Sequence, residues 1–277
     1  MSHARRASVL AGAMLLSTVL AGVASADERA PDAEHASSDT PASARLWSGG
    51  SALTIPGGRI EFGLFTPVHW GVTDDVELAA HPVLEIVLPH IEGKIRWLHR
   101  GAISLSTWHR LSYPTLLLET VSREGTLGLL PANTDVPAAI GLDTSFLVTV
   151  SSPGDRTHVT LELGLSLAPR LGGGDEVVLD FPFLYSRFAA VSTNGSTFAG
   201  LAATTVLTRN FSVAADVRLT TVSVVPHGFV LEHGVSIAWY PSSGFGLALG
   251  YRLAHGRYPV GPRTHFLPTI DVVFGFD

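Results

Sequence analysis

Residues 159–167 spell VTLELGLSL, in which Val159, Leu161, Leu163, Leu165 and Leu167 alternate with Thr160, Glu162, Gly164 and Ser166. A β-strand sends successive side chains to opposite faces, so this segment has one aliphatic face and one small or polar face. Similar alternation runs through RIEFGLF (59–65), IGLDTSFLVTV (140–150), EVVLDF (176–181), TFAGLAATTVL (197–207), FSVAADVRL (211–219), LEHGVSIAW (231–239) and GFGLALGYRL (244–253). Less regular candidates occupy residues 76–88, 91–99, 102–112 and 115–121, and PTIDVVFGFD at 268–277 puts Ile270, Val272, Phe274 and Phe276 on one face. The pattern predicts about twelve strands, within bounds of roughly ten to fourteen, and no helical period.

The segments between strands favour an antiparallel up-and-down order. Residues 209–210 and 241–244 are tight turns, whereas 221–229 and 254–266 are predicted as longer loops. Short turns that alternate with longer loops are the habit of membrane-spanning barrels. No repeat of fixed length and no composition break follows residue 59, so the folded part is expected as one domain over 46–277.

Two architectures fit many antiparallel strands: a water-soluble sandwich or barrel, and a barrel that crosses a membrane. They differ in which face is apolar. Here the faces opposite the large aliphatics contain Gly, Ala, Ser and Thr with occasional charges, too few for a solvated exterior, and they suit a lumen better. Composition agrees: 46% of residues are hydrophobic and 15% charged, with a mean hydropathy of +0.31. Yet no run reaches the roughly 18 apolar residues of a spanning helix. Strands of about 9 to 11 residues cross a bilayer when tilted, and Trp70, Trp97, Trp108, Trp239 with Tyr240, and Tyr251 lie toward strand ends, where an interfacial girdle is expected. The fold class predicted is therefore all-β, an antiparallel transmembrane β-barrel.

The N-terminal stretch changes the compartment. ASVLAGAMLLSTVLAGV (7–23) follows Arg5 and Arg6 and precedes Ala24, Ser25 and Ala26, the arrangement of a secretory signal peptide over 1–26. Residues 27–45, polar and rich in Pro, Ala and Ser, are expected as a disordered leader. The chain has no cysteine, hence no disulfide framework and no thiolate metal site. Removing 1–26 takes two arginines from 18 basic residues and leaves 24 acidic ones, a net charge of 16 − 24 = −8. The basic residues are scattered and form no stripe, which argues against a nucleic-acid partner.

Two motifs then carry a resemblance. The strand with Ile270, Val272, Phe274 and Phe276 resembles the C-terminal signal strand of Gram-negative outer-membrane β-barrel proteins, although Asp277 follows the aromatic and Pro268 interrupts the series. WGVTDDVELAAHP (70–82) is similar to a hairpin common in uncharacterised and transporter-like barrels of that class, with Gly71, Thr73 and Asp74 as turn formers and Asp74 placed to bond its own backbone two residues on. The resemblance implies an outer-membrane location, a lipid belt, and recognition of the last strand by barrel-assembly machinery.

Catalytic and metal signals are weak. Lipid-cutting barrels use a His-x-Ser pair on a strand, whereas here the pattern occurs only as His35 and Ser37 in the leader. His81, His90, His99 and His109 recur at strand-length spacing and are expected at rims, so no metal and no cofactor is predicted. Gly172, Gly173 and Gly174 with Asp175 lack the following GK[ST] and helix of a phosphate loop, and a turn is expected.

The candidate lumen residues are the charges on the small-residue faces: Glu61, Lys94, Arg96, Asp143, Glu162, Glu176, Asp180, Asp216, Arg218, Glu232, Arg252 and Asp271. They either pair across strands inside a filled barrel or set the field of a narrow pathway. With eight acids against four bases, such a pathway would mildly favour cations. Three functions follow: a passive transporter or small pore for small solutes; a structural or adhesive barrel without conductance; and, least supported, a lipid-modifying enzyme. The expectation is a non-enzyme.

Overall fold

The computed structural model describes residues 50–277 apart from 83, 124–129, 132–133, 176, 180–182 and 260. The signal peptide and leader expected within 1–45 lie outside the described residues, as do Glu176 and Asp180. In chain order the elements are β1 Ile60–Gly63, β2 Val68–Thr73, β3 Val76–Ala80, β4 His90–Arg100, β5 Ile103–Ser112, α1 Thr115–Val121, β6 Ala138–Ala139 and β7 Gly141–Ser151. There follow β8 Thr157–Leu167, β9 Arg170–Leu171, α2 Leu184–Thr193, β10 Gly195–Thr208, β11 Phe211–Thr221, β12 Phe229–Ser242, β13 Phe245–Tyr258 and β14 Gly261–Phe276. Among the described residues twelve strands close an antiparallel barrel, with β6 and β9 paired apart from it.

Closure is made by β1 against β14, with Ile60 opposite Phe276 and Phe62 opposite Phe274. The Phe62 ring lies 5.4 Å from that of Phe274 and 5.9 Å from that of Phe276. On the inner side of the same seam Arg59 donates from Nε to Glu61 at 2.7 Å and from Nη1 to Asp277. Burial alone would lower the Arg59 pKa, but the hydrogen bonds and charges of Glu61 and Asp277 outweigh it and hold it above its ordinary value.

The alternation sorts the strands into two surfaces. Leu161, Leu163, Leu165 and Leu167 are exposed, while their neighbours Thr160 and Ser166 are buried. Val217, Leu219, Val235, Ile237, Leu249, Ile270, Phe274 and Phe276 continue the exposed aliphatic and aromatic belt, and Val272 between them is half-buried. Trp70, Trp97, Phe211 and Trp239 form an exposed aromatic group near one end, the end where β2–β3, β4–β5, β10–β11 and β12–β13 are joined by two-residue turns. Trp108 and Tyr240 do not join this girdle. Each sits one residue out of phase with the outer face, and Tyr240 is 0% exposed inside the barrel.

Several connections differ from expectation. Residues 115–121 form α1, not a strand, because Thr115, Leu118 and Val121 share a buried helical face behind Pro114. The expected strand 76–88 stops at Ala80 and gives way to a single 3₁₀ turn at Leu84–Ile86. Of the strand expected over 176–181, the described residues 177–179 are irregular chain, with Val177 and Leu179 buried. Residues 254–266 are not a loop: β13 runs to Tyr258 and β14 starts at Gly261. Asp74 does not bond its own backbone forward; its Oδ1 accepts from Gly57 N at 2.9 Å.

Both ends of the barrel are filled by the chain itself. At the two-residue-turn end, residues 51–57 cross the interior. Ala52 N donates to Thr149 Oγ1 at 2.7 Å, Lys94 Nζ donates to Leu53 O at 3.0 Å, and Ile55 N donates to Glu77 Oε2 at 3.1 Å. The segment passes Gly71 so closely that a Cβ there would stand 2.1 Å from Pro56 O, so this approach needs glycine. At the opposite end α2 packs on the inner side of β12 and β13 through Tyr185 and Ala189 against Val230, Ala254 and Tyr258. Its other side, with Phe188, Ala190 and Val191, meets Leu118 and Val121 of α1 and Ala139 and Ala168. Arg170 donates to Val191 O at 3.1 Å and to Ser192 O at 2.5 Å, and so satisfies the last carbonyls of α2. No described helix is long and apolar enough to cross a membrane, which bears on helices alone.

Candidate functional site

Inside the barrel lies a partly open cavity of about 220 Å³, roofed by Arg187 of α2 and floored by the segment 51–57 where that segment meets the lining residues Glu77 and Lys94. Its lining comes from β2 to β5, β7, β8, β11 and α2. The charges that face it were recruited by phase. Glu92 and Lys94 alternate along β4, Trp108 and Arg110 along β5, and all four turn inward while Ile91 and Leu111 turn out.

One wall is acidic. Glu77 binds His69 Nδ1 through Oε1 at 2.8 Å and stands 3.8 Å from Lys94 Nζ through Oε2, the oxygen that also accepts from the floor. Glu92 accepts a hydrogen bond from Trp108 Nε1 at 3.2 Å. The other wall and the roof contain three guanidinium groups. Arg110 is held by Asp143 at 2.5 Å. Arg218 lies over the Phe198 ring at 3.8 Å and reaches Glu162 at 3.9 Å. Arg187, projecting from α2, approaches Glu232 at 3.4 Å, and Glu232 also accepts from Ser186 Oγ.

The Arg218 position depends on a missing side chain. A Cβ on Gly164 would lie 2.3 Å from Phe198 Cζ, so glycine lets the ring lie flat over β8 and offer its face to the guanidinium. Ions taken from water need a partner or remain costly, and here the arginines and the buried lysine each have a carboxylate within 4 Å.

The structure brings only some of the sequence candidates together. Lys94, Glu162 and Arg218 line the cavity. Asp143 and Glu232 stand behind it as partners of Arg110 and Arg187. Asp216 of β11 and Arg252 of β13 pair at 3.0 Å across Gly234 of β12. Glu61 belongs to the seam, Arg96 pairs with the exposed Asp75 at 2.9 Å at the turn end, and Asp271 accepts from Phe65 N at 3.0 Å and from Thr66 Oγ1.

His69, Glu77, Glu92, Arg110 and Arg187 also line the cavity and are not among the sequence candidates, and Trp108, expected in the girdle, joins them. Glu92 shares the Lys94 phase, a signal that was present. Arg187 had none, because α2 is buried on nearly all sides and shows no polar face. His81, His90, His99 and His109 bond separately, His90 to Leu88 O at 2.8 Å, His99 to Ser104 at 2.8 Å and His109 to Thr144 at 2.8 Å. No group of three metal-ligating His, Asp or Glu side chains occurs among the described residues.

Fold and cavity define a class: a closed antiparallel barrel with an apolar exterior, an ionised interior and both ends filled. No protein-family model matches the chain, and no curated protein does. Among solved structures it is similar to OmpT (in-vitro folded), an outer membrane protein of Vibrio cholerae, at 5% identity over 84% of this chain and 70% of that one, with a TM-score of 0.40. So slight a likeness carries no functional argument.

Proposed function

We propose that the protein is an outer-membrane β-barrel that admits small polar solutes to its lumen, a passive transporter or small pore restricted by its floor and roof. One observation carries the reading: an ionised cavity of about 220 Å³ inside a barrel whose outer side chains are aliphatic and aromatic. An apolar outside with a polar inside is the arrangement for lipid outside and solute inside. By the habit of such barrels the two-residue turns and the floor face the periplasm and the α1 and α2 connections face outward. Outer-membrane lipid and, through Ile270, Val272, Phe274 and Phe276, the assembly machinery are the proposed partners. Turnover of a substrate is not part of the proposal.

A barrel without conductance is the second reading, and the filled ends favour it. Planar-bilayer recording on the mature chain and on a variant lacking residues 27–55 separates the two. The transport reading expects small or rare steps from the wild type and steps several-fold larger once the floor is gone. Silence from both proteins would leave the non-conducting barrel.

A further inference from the structure

The cavity contains hydrogen-bond donors and an acceptor that the protein leaves largely unused. A guanidinium has five N–H groups. Arg187, with 38% of its side chain accessible, makes one hydrogen bond from its guanidinium among the described residues, at 3.4 Å to Glu232. Arg218 makes its ionic contact at 3.9 Å and stacks on Phe198, and no hydrogen bond from its guanidinium forms among the described residues. Arg110, in contrast, is committed to Asp143 through two nitrogens, at 2.7 and 2.5 Å. Two planar cations thus converge on one part of the cavity with donors to spare, the geometry that suits a carboxylate.

Glu92 stands on β4, five strands round the barrel from β11 and Arg218. Its carboxylate has the Trp108 indole N–H as its hydrogen-bond partner and forms no ion pair within 4 Å among the described residues. The nearby Lys94 acts on it through its charge and is itself held by Leu53 O and Glu77. Charges of the two signs nearly balance there: the four basic lining residues, Lys94, Arg110, Arg187 and Arg218, face Glu77, Glu92 and Glu162, with Asp143 and Glu232 just behind, 4 − 5 = −1. A molecule with a positive and a negative end adds no net charge and uses both groups. The volume of about 220 Å³ lies below the roughly 300 Å³ at which drug-sized pockets begin. The occupant is therefore small.

We infer that the cavity is a binding site for a small zwitterionic amino-carboxylate, its carboxylate between Arg187 and Arg218 and its ammonium at Glu92 beside Trp108. This names a solute class for the function proposed above and rests on it for the barrel, though not for conductance.

Trp108 is the reporter. The mature chain in detergent micelles is titrated with glycine, β-alanine and γ-aminobutyrate while tryptophan fluorescence is followed, with Trp108→Phe to assign the signal. Propionate and propylamine serve as half-molecules. At least one amino acid should give a saturable change lost in Trp108→Phe, with an apparent Kd about tenfold or more below that of either half-molecule, the scale of one charge-assisted hydrogen bond. Arg187→Gln and Glu92→Gln should each weaken it about tenfold or more, in protein whose folding is checked by gel mobility before and after boiling.

Propionate binding as tightly as the amino acids would make this an anion site and overturn the inference. Propylamine doing so would make it a cation site, with the same result. No saturable signal from wild-type protein would leave a water-filled cavity and equally sink it. These comparisons use wild-type protein, so a misfolded variant cannot mask them. A barrel that binds an amino acid and passes no current retains this site and loses the transport reading; one that conducts and binds none does the reverse.

Discussion

Leu163→Arg is the most direct test of what the exterior touches. Leu163 is the seventh of eleven residues in β8, and 53% of its surface is exposed. Its cross-strand neighbours on the outer face are Phe146 of β7 and Ala199 of β10. In water an arginine at so exposed a place would change stability by no more than about 0.5 kcal/mol. In hydrocarbon near the midplane the same guanidinium costs about 2 to 4 kcal/mol, and the cost falls to about 0 to 1 near the interface. The folding equilibrium should therefore fall roughly thirtyfold to several-hundredfold. Leu167→Arg, at the end of the strand and also exposed, should cost about 1 kcal/mol or less. Urea titration of the mature chain in phospholipid vesicles, extrapolated linearly to water, gives both numbers. Glu162→Gln is the inward control. It puts no charge into hydrocarbon and gives up a 3.9 Å contact with Arg218. Equal costs at 163 and 167, or a Leu163→Arg protein within about 0.5 kcal/mol of wild type, would refute a lipid-facing belt.

Two further outcomes follow from the same architecture. Replacing Phe274 and Phe276 by serine removes the rings that pack on Phe62 across the β1–β14 seam; the folded, heat-modifiable form in outer-membrane fractions should fall several-fold, and recovery of the wild-type protein as soluble periplasmic material would exclude the barrel's location. Edman sequencing of the exported protein should start at or near Asp27, and a chain still beginning at Met1 would contradict the signal-peptide reading.

Much of the barrel could be read from sequence because period two is a local signal. The alternation of Val159 to Leu167 is the inside and outside of β8, residue for residue in phase. The same local rule explains the errors. TLLLETV at 115–121 is too short for periodicity to separate helix from strand, and only the tertiary contacts of Leu118 and Val121 decide it. In α2 nearly every face is buried, so no amphipathic stripe existed to be found. Closeness to strand ends points Trp108 and Tyr240 to the girdle, but side-chain phase decides the face, and theirs is inward. For the cavity, sequence supplied Lys94, Glu162 and Arg218 but could not pair them with Arg187 or the floor, since those partners come from segments that are not strands.

What period two cannot express is the order of the inner face along the barrel axis. Near the two-residue turns that face is made of small hydroxyl residues: Ser104 and Ser106 on β5, Thr149 and Ser151 on β7, Thr160 on β8, all buried. They leave room for an extra segment of chain, and Thr149 supplies an acceptor for it. One step further along, the same strands present Trp108 and Arg110, Leu147 and Asp143, and Glu162, which surround the cavity. Further still, Val222, Val230, Ala254 and Tyr258 give α2 an apolar seat. Each tier matches what fills it: backbone amides meet hydroxyls, the cavity meets ions, and a buried helix meets hydrocarbon. A barrel evolved only to be filled would have no need of the middle tier, because well-packed apolar side chains of similar volume would hold it at least as well as ion pairs. The charges between floor and roof are therefore better explained by an occupant than by stability.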